Sequence, residues 1–193
     1  MRNTLKYIVG STWQPFLVKY LSKTRSYQYG DIRLTIPATV FHPGFFFSTN
    51  LLLNQLKEYP LAHQKVLEPG AGSGLLSIYA AKQGAIVTAT DINPASIECL
   101  TVNARENDVE LNVITSDLFD RIPEQQFDVI VVNPPYYRKK AVSYADYAWN
   151  CGENGEYFEK FFSQAKRFVH PASKILMVLC DACDMQMVEG IAQ

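Results

Sequence analysis

The run Asn133-Pro134-Pro135-Tyr136 follows two β-branched valines, Val131 and Val132, and precedes Tyr137 and three cations, Arg138, Lys139 and Lys140. An amide or exocyclic amino nitrogen is a poor nucleophile, because its lone pair is delocalised into a π system. If Asn133 Oδ1 and the Pro134 carbonyl each accept an N–H from such a nitrogen, they favour its pyramidalisation and aim the lone pair outward. Proline lacks the N–H and fixes φ, so Pro134-Pro135 holds that carbonyl with little freedom. Tyr136 supplies a face on which a planar group can stack, worth about 1–3 kcal/mol for a base. The chemistry implied is group transfer to a planar nitrogen. Transfer to carbon or oxygen is disfavoured, since neither a cysteine nucleophile nor an obvious base stands in the motif.

A second constellation lies upstream. "LEPGAGSG" places Gly70, Gly72 and Gly74 at alternate positions around Ala71 and Ser73, where the backbone can turn tightly and approach a ligand. A bound nucleotide is implied, but G-x-G-x-x-G would need a glycine at 75, which is leucine, and no Gly-Lys-Ser/Thr follows. Glu68, facing the loop, would repel pyrophosphate and attract an ammonium or sulfonium group, which disfavours NAD. Asp91, 23 residues on, can accept from both ribose hydroxyls, and Asp117 is within reach of an adenine amino group. Singly each acid reads as a cap or turn residue; three at successive strand ends read as a site.

Positioning these groups requires strands that end together. "KVLEPG", "AIVTATD", "LNVITSD", "FDVIVVNP" and "KILMVLC" are five candidate strands, with helical stretches at Leu75 to Gln83, Pro94 to Asn107 and Glu156 to Val169. Asn93-Pro94 is a good N-cap with proline at the first helical position, and Asn154-Gly155 opens the later helix similarly. Strands alternating with helices pair in parallel through right-handed crossovers, so the fold class is a doubly wound α/β sheet. Ahead of it, Leu5, Ile8, Val9, Thr12, Phe16 and Tyr20 fall at helical spacing, "YQYGDIRLTI" reads as a hairpin around Gly30-Asp31, and a helix runs from about Thr49 to Glu58. The division expected is a helical and hairpin extension over 1–44 and the sheet domain over 45–193.

The 193 residues, 48% hydrophobic and 19% charged, suit one soluble globular domain, and neither a membrane-spanning run nor a signal peptide is read. Cys99, Cys151, Cys180 and Cys183 need no disulfide framework, which points to a reducing cytoplasm; the C-x-x-C at 180–183 lacks a second pair, so no metal site is expected. The net charge of -1 divides into +5 over residues 1–40 and -6 over the remainder. The basic end either meets an anionic partner such as RNA or is a solvated helical face.

Over roughly residues 45 to 190 the chain resembles the class I S-adenosylmethionine-dependent methyltransferases: "VLEPGAGSG", "ATD" and "SD" match that family's loop, ribose acid and adenine acid in order. The resemblance implies S-adenosyl-L-methionine as cofactor and a Rossmann-like sheet. Glu68 would orient the loop near the methionine amino group, Gly70 to Gly74 would pass under methionine and ribose, Asp91 beside Ile92 would bind the ribose, and Asp117 with Leu118 would frame the adenine. That family's sheet usually finishes with an antiparallel hairpin, and only about twelve residues follow "KILMVLC", so a truncated sheet edge is expected.

"NPPY" resembles the fourth motif of the amino-methyltransferases, which act on adenine N6, guanine N2 or protein glutamine N5. The implied catalytic set is Asn133, Pro134, Pro135 and Tyr136. "FHPGFFFSTNLLL" is similar to a segment of the small-domain rRNA guanine methyltransferases, which would put Phe46, Phe47 and Thr49 at the methionine pocket, although adjacent phenylalanines also suit a core. Arg138, Lys139 and Lys140 would then contact phosphates. These features lean toward a base in RNA. "AWNCGENGEYFEKFF" is similar instead to the release-factor glutamine methyltransferases, with Cys151 in place of a glycine, and supports the alternative of a protein glutamine. A domain that binds cofactor or RNA without catalysis ranks below both, because the motif is intact.

Overall fold

The computed structural model describes residues 22–45, 47–179 and 183–192. The N-terminal helical pattern, Phe46 and Cys180 lie outside these residues. In chain order the elements are β1 (Arg25–Tyr29), β2 (Ile32–Ile36), a 3₁₀ turn (Pro43–Phe45), α1 (Phe47–Leu56), β3 (Lys65–Pro69), α2 (Leu75–Lys82), β4 (Ile86–Asp91), α3 (Pro94–Glu106), β5 (Asn112–Thr115), β6 (Phe127–Val132), α4 (Tyr144–Tyr147), α5 (Glu156–Ala165), β7 (Val169–Met177) and α6 (Met185–Ala192).

The main sheet is wholly parallel, in the order β5-β4-β3-β6-β7. Its order reverses between β3 and β6, so the crevice beyond their carboxyl ends is the topological switch point, where such sheets place ligands. The period of two along β6 explains the layers. Val129 and Val131 join Val66, Val87, α1, α2 and the hairpin on one face, while Ile130 and Val132 join Leu67, Phe161 and Phe168 on the other. Both faces are covered by apolar side chains, which is why these strands read as continuous hydrophobic runs.

In the hairpin Tyr29 pairs with Ile32, and Gly30 takes a φ of 58° at the first turn position, as a two-residue connection demands. Ile32, Leu34 and Ile36 face the shared core. Two side chains of α3 and its cap satisfy the outer edge of β2: Asn107 Oδ1 accepts the Arg33 N–H at 2.9 Å, Asn107 Nδ2 donates to the Arg33 carbonyl at 2.6 Å, and Asn103 Oδ1 accepts the Thr35 N–H at 2.8 Å. These asparagines substitute for a neighbouring strand.

Two element boundaries differ from expectation. Helix α1 spans Phe47–Leu56, two residues ahead of the expected start and end. Val169, expected to end a helix, begins β7, because α5 stops at Ala165. Between the pairs Phe127↔Val169 and Val129↔Lys174, β7 carries three more residues than β6. The excess is pinned by Ser173 Oγ donating to the Phe127 carbonyl at 2.7 Å and His170 Nε2 lying 3.0 Å from Asp128 Oδ1. The polar residues and proline of this irregularity mask a strand to any periodicity argument. The cap of α5 also differs: Gly155 occupies it with φ 84° and no side-chain bond, while Glu156 accepts from the Asn154 N–H and amide. Among the described residues β7 is the outer strand, with Ile175 39% exposed, and none of the helices is long and apolar enough to cross a membrane.

Candidate active site

The carboxyl ends of β3, β4 and β6 and the loop after β5 surround a cavity of about 130 Å³. Glu68, Gly70, Ala71, Gly72, Ser73, Asp91, Ile92, Asp117, Leu118, Asn133 and Pro135 all line it, so the chain folds the two constellations read in the sequence into one cleft.

The loop is held by its own backbone and by β4. Gly70, Gly72 and Gly74 take φ values of 74°, 55° and 85°. Gly70 N and Ala71 N both donate to the Thr90 carbonyl, at 2.8 and 2.9 Å, and Asn103 Nδ2 donates to the Ser73 carbonyl at 2.9 Å. A Cβ on Gly70 or Gly72 would meet nothing nearer than 4.0 Å, which leaves a cradle for a ligand. A Cβ on Gly74 would lie 2.6 Å from Leu100 Cδ2, so this glycine lets the start of α2 pack closely against α3. Gly74→Ala is expected to cost about 1–3 kcal/mol in denaturant unfolding, from φ strain plus overpacking.

Glu68 is buried, and one carboxylate oxygen, Oε2, accepts from both the N–H and the hydroxyl of Ser77, at 2.8 and 2.5 Å. Burial pushes its carboxyl up to about 8, against the Ser77 hydrogen bonds, with the charge of Asp91 adding to the rise. The folded chain therefore keeps a proton that the unfolded chain loses above its ordinary 4.5, and stability should fall as pH rises from about 4.5 to about 8. Melting temperatures across that window should decline less for Glu68→Gln than for the parent. A buried carboxylate at the loop is also compensated by any cation bound there.

Asp91 is tied on both sides: Oδ2 accepts the Gly72 N–H at 2.9 Å and Oδ1 the Asn93 N–H at 2.8 Å. Burial raises its carboxyl, while these bonds and Ser96 act the other way. The carboxylate lines the cleft, at the place where a ribose hydroxyl is expected to donate to it. Asp117 has a partner that local sequence does not disclose, the Lys160 ammonium at 2.6 Å, which also meets Asp120 at 2.7 Å. Leu118 sits beyond it with a φ of 51°. The cradle and the buried carboxylates of Glu68 and Asp91 fit a cationic adenosyl cofactor, for which the residues from Glu68 to Gly74, Asp91 and Asp117 would form the holding set.

On the acceptor side, Asn133 is bracketed: Nδ2 donates to Ser48 Oγ at 3.2 Å, and Oδ1 accepts from the Tyr136 hydroxyl. Pro134 and Pro135 are buried. The chain after the motif is laddered to a later segment. Tyr136 N and Tyr137 N donate to the Trp149 carbonyl at 2.9 and 2.8 Å, Cys151 N to the Tyr137 carbonyl at 2.9 Å, and Gly152 N to the Lys139 carbonyl at 3.1 Å. The "AWNCGENG" stretch is thus laddered to the chain that follows the motif, with Ala148 lining the cleft. Arg138, expected at a substrate phosphate, is engaged within the protein by the Glu153 carbonyl and Asp184, whereas Lys139 and Lys140 are exposed.

The aromatic expectations around 46–49 need correction. Thr49 lines the cleft, but Phe47 is 86% exposed, because it opens α1 on the solvent side. Phe41 lines the cleft instead, its ring 5.5 Å from that of Trp149. Tyr144, Tyr147 and Tyr157 also line the cleft and were missed. Burial foremost, then Asp117, Asp91 and Tyr136, holds the Tyr157 phenol above its ordinary range and so protonated. Its place two residues into α5, after the Gly155 cap, was the available signal. Cys99, Cys151 and Cys183 are buried, Cys99 and Cys151 as free thiols, and the described residues hold no His/Cys/Asp/Glu group suited to a metal ion.

Comparison with known proteins agrees with this geometry. The model of the Methyltransferase small domain family matches residues 32–188. A Methanocaldococcus jannaschii protein, provisionally named a protein N5-glutamine methyltransferase, is 34% identical over 144 residues, 72% of this chain and 71% of the relative. A ribosomal protein L11 methyltransferase of Leptospira interrogans is 33% identical over 113 residues, 56% of this chain and 38% of its own length, so the chain matches well under half of that enzyme. Among solved structures, the T. thermophilus 16S rRNA N2 methyltransferase in complex with AdoMet and guanosine superposes with a TM-score of 0.66 at 24% identity, covering 87% of this chain and 45% of the other, a likeness of fold. With a family model running from the second hairpin strand through the glycine loop and the Asn133–Tyr136 motif, the chain belongs to the methyltransferase small domain family and is an S-adenosylmethionine-dependent methyltransferase of Rossmann-like fold.

Proposed function

We propose that this enzyme methylates the side-chain amide nitrogen of a glutamine in a protein. The observation that carries the reading is the ladder joining residues 136–139 to 149–152, because it ties the segment similar to glutamine methyltransferases to the chain that follows the motif. The relative at 34% identity, provisionally named for that activity, supports it. So do the -6 charge of residues 41–193, which opposes a polyanion, and the internal pairing of Arg138, which leaves fewer cations at the cleft.

The bound cofactor would supply an electrophilic sulfonium methyl. Asn133 Oδ1 has one lone pair directed at the Tyr136 hydroxyl and retains a second for an amide N–H, and the Pro134 carbonyl takes the other N–H. Accepting both hydrogens turns the amide nitrogen toward a pyramidal geometry, and its lone pair becomes available for in-line attack. Ser48 and Tyr136 fix the plane of the Asn133 amide, so no reorganisation accompanies the step. The buried free thiols of Cys99 and Cys151 support work in a reducing compartment such as the cytoplasm.

The test is tritium transfer from labelled S-adenosylmethionine into cell extract. Label removed by protease and untouched by ribonuclease is the expected result; the reverse overturns the reading. A base in RNA is the second reading, favoured by exposed Lys139 and Lys140 beside the motif. On that reading Lys139→Ala with Lys140→Ala would flatten the slope of log affinity against log salt by roughly 0.7 for each single-strand phosphate no longer neutralised. We expect acceptor affinity and its salt dependence to be unchanged in the double variant.

A further inference from the structure

Arg138 stands two residues beyond Tyr136, and its side chain turns back into the protein. Nε donates to the Glu153 carbonyl at 3.0 Å and Nη1 to Asp184 Oδ2 at 3.1 Å. The other oxygen of Asp184 accepts the Met187 N–H at 3.1 Å and so caps α6. One guanidinium therefore joins three segments: the loop that carries the catalytic motif, the turn before α5, and the first turn of α6. That helix is itself anchored, with Val188 packed among Cys151 and Phe158 and Met187 and Ile191 against the same cluster. Without the guanidinium, the loop is joined to this anchor by the main-chain ladder and by Cys151 Sγ, which donates to the Tyr137 carbonyl at 3.3 Å.

We propose that Arg138 and Asp184 form a clasp that places Asn133–Tyr136 over the cofactor cleft, with Arg138 a positioning residue for methyl transfer and not a substrate contact. The side chains are 49% and 38% exposed, so the pair adds little to global stability. Its effect is on geometry, where a displacement of about 1 Å can slow transfer about a hundredfold. The inference rests on Asn133 holding the acceptor nitrogen.

The experiment compares the parent with Arg138→Met, Arg138→Lys, Asp184→Asn, the double variant Arg138→Met/Asp184→Asn, and Asn133→Ala. Asparagine at 184 still caps α6, so the helix stays in place while the ion pair is lost. The readouts are the maximal rate of tritium transfer from labelled S-adenosylmethionine into soluble cell extract, the extract concentration giving half that rate, and cofactor affinity by calorimetry. Arg138→Met and Asp184→Asn should each lower the maximal rate about tenfold, a displacement smaller than the limiting case. The double variant should be no slower than either, and Arg138→Lys should recover most of the rate. Half-saturation and cofactor affinity should stay within about twofold, as for a group that touches neither ligand. Full rates in the single variants beside an inactive Asn133→Ala overturn the clasp alone. A loss confined to half-saturation assigns Arg138 to the substrate, and a double loss equal to the product of the singles makes the two residues independent; either result overturns it. An active Asn133→Ala overturns the parent reading and the clasp with it.

Discussion

Asn133→Ala should lower methyl transfer on the order of 10²- to 10³-fold while leaving cofactor affinity within about twofold. The asparagine directly follows β6, a central strand whose last four residues, Val129 to Val132, are buried, so its backbone position is set by the core and survives loss of the side chain. What is lost is the amide oxygen, which acts only when an acceptor nitrogen is present. Its brackets, Ser48 and the Tyr136 hydroxyl, are half-buried and can turn to water, so the cost in stability is small. Single-turnover rates with labelled cofactor, measured beside calorimetry with S-adenosylhomocysteine, separate the two effects. Equal turnover in the variant would show that the motif is a rigid turn and no more.

Asp91→Ala should weaken cofactor binding by about a hundredfold, a larger loss than removing one ligand hydrogen bond. The carboxylate serves the loop before it serves any ligand: it receives the Gly72 N–H from one side and the Asn93 N–H from the other, in a buried position. Alanine leaves both donors unpaired, frees a glycine at φ 55° to leave its cradle, and withdraws the acceptors proposed for the ribose. Asp91→Asn should lie between, because an amide oxygen replaces one acceptor while its NH₂ opposes the remaining N–H. Calorimetric titration with S-adenosylhomocysteine measures this directly. Affinity in Asp91→Ala within a fewfold of the parent would remove Asp91 from the cofactor site.

The parts of the fold legible in the sequence are those whose cause is local. Glycines at 70, 72 and 74 announce a turn that only positive φ can make, and Asn93 before Pro94 announces a helix start; the structure places both there, with the Asn93 side chain accepting the Ala95 N–H. Alternation along β2 gave its buried face for the same reason. What escaped was decided between distant residues. Lys160 reaches Asp117 across 43 positions, Arg138 reaches Asp184 across 46, and Ser48 reaches Asn133 across 85. Charge alone made Arg138 look like a phosphate ligand, because nothing near it in sequence reveals the carboxylate waiting at the cap of α6. Phe47 was misjudged on the same footing: its neighbours are apolar, but helix rotation sends its ring to solvent. The start of β7 was hidden by Pro171 and by His170 and Ser173, whose side-chain bonds replace the ladder where periodicity fails.

The account rests on a methyl group passing from S-adenosylmethionine to the nitrogen of a primary amide, and the chemical identity of the product decides it. An N-methyl amide breaks down in strong acid to a carboxylic acid and methylamine, whereas a methyl on carbon or on an ester oxygen does not yield that amine. The measurement is acid hydrolysis of protein labelled by this enzyme with tritiated cofactor, followed by separation of volatile base. The account predicts that the label appears as methylamine, in a yield matching the protease-sensitive counts, and that Asn133→Ala produces none. Label recovered in a methylated nucleobase, or in an amino acid other than glutamine with Asn133→Ala as active as the parent, would contradict it.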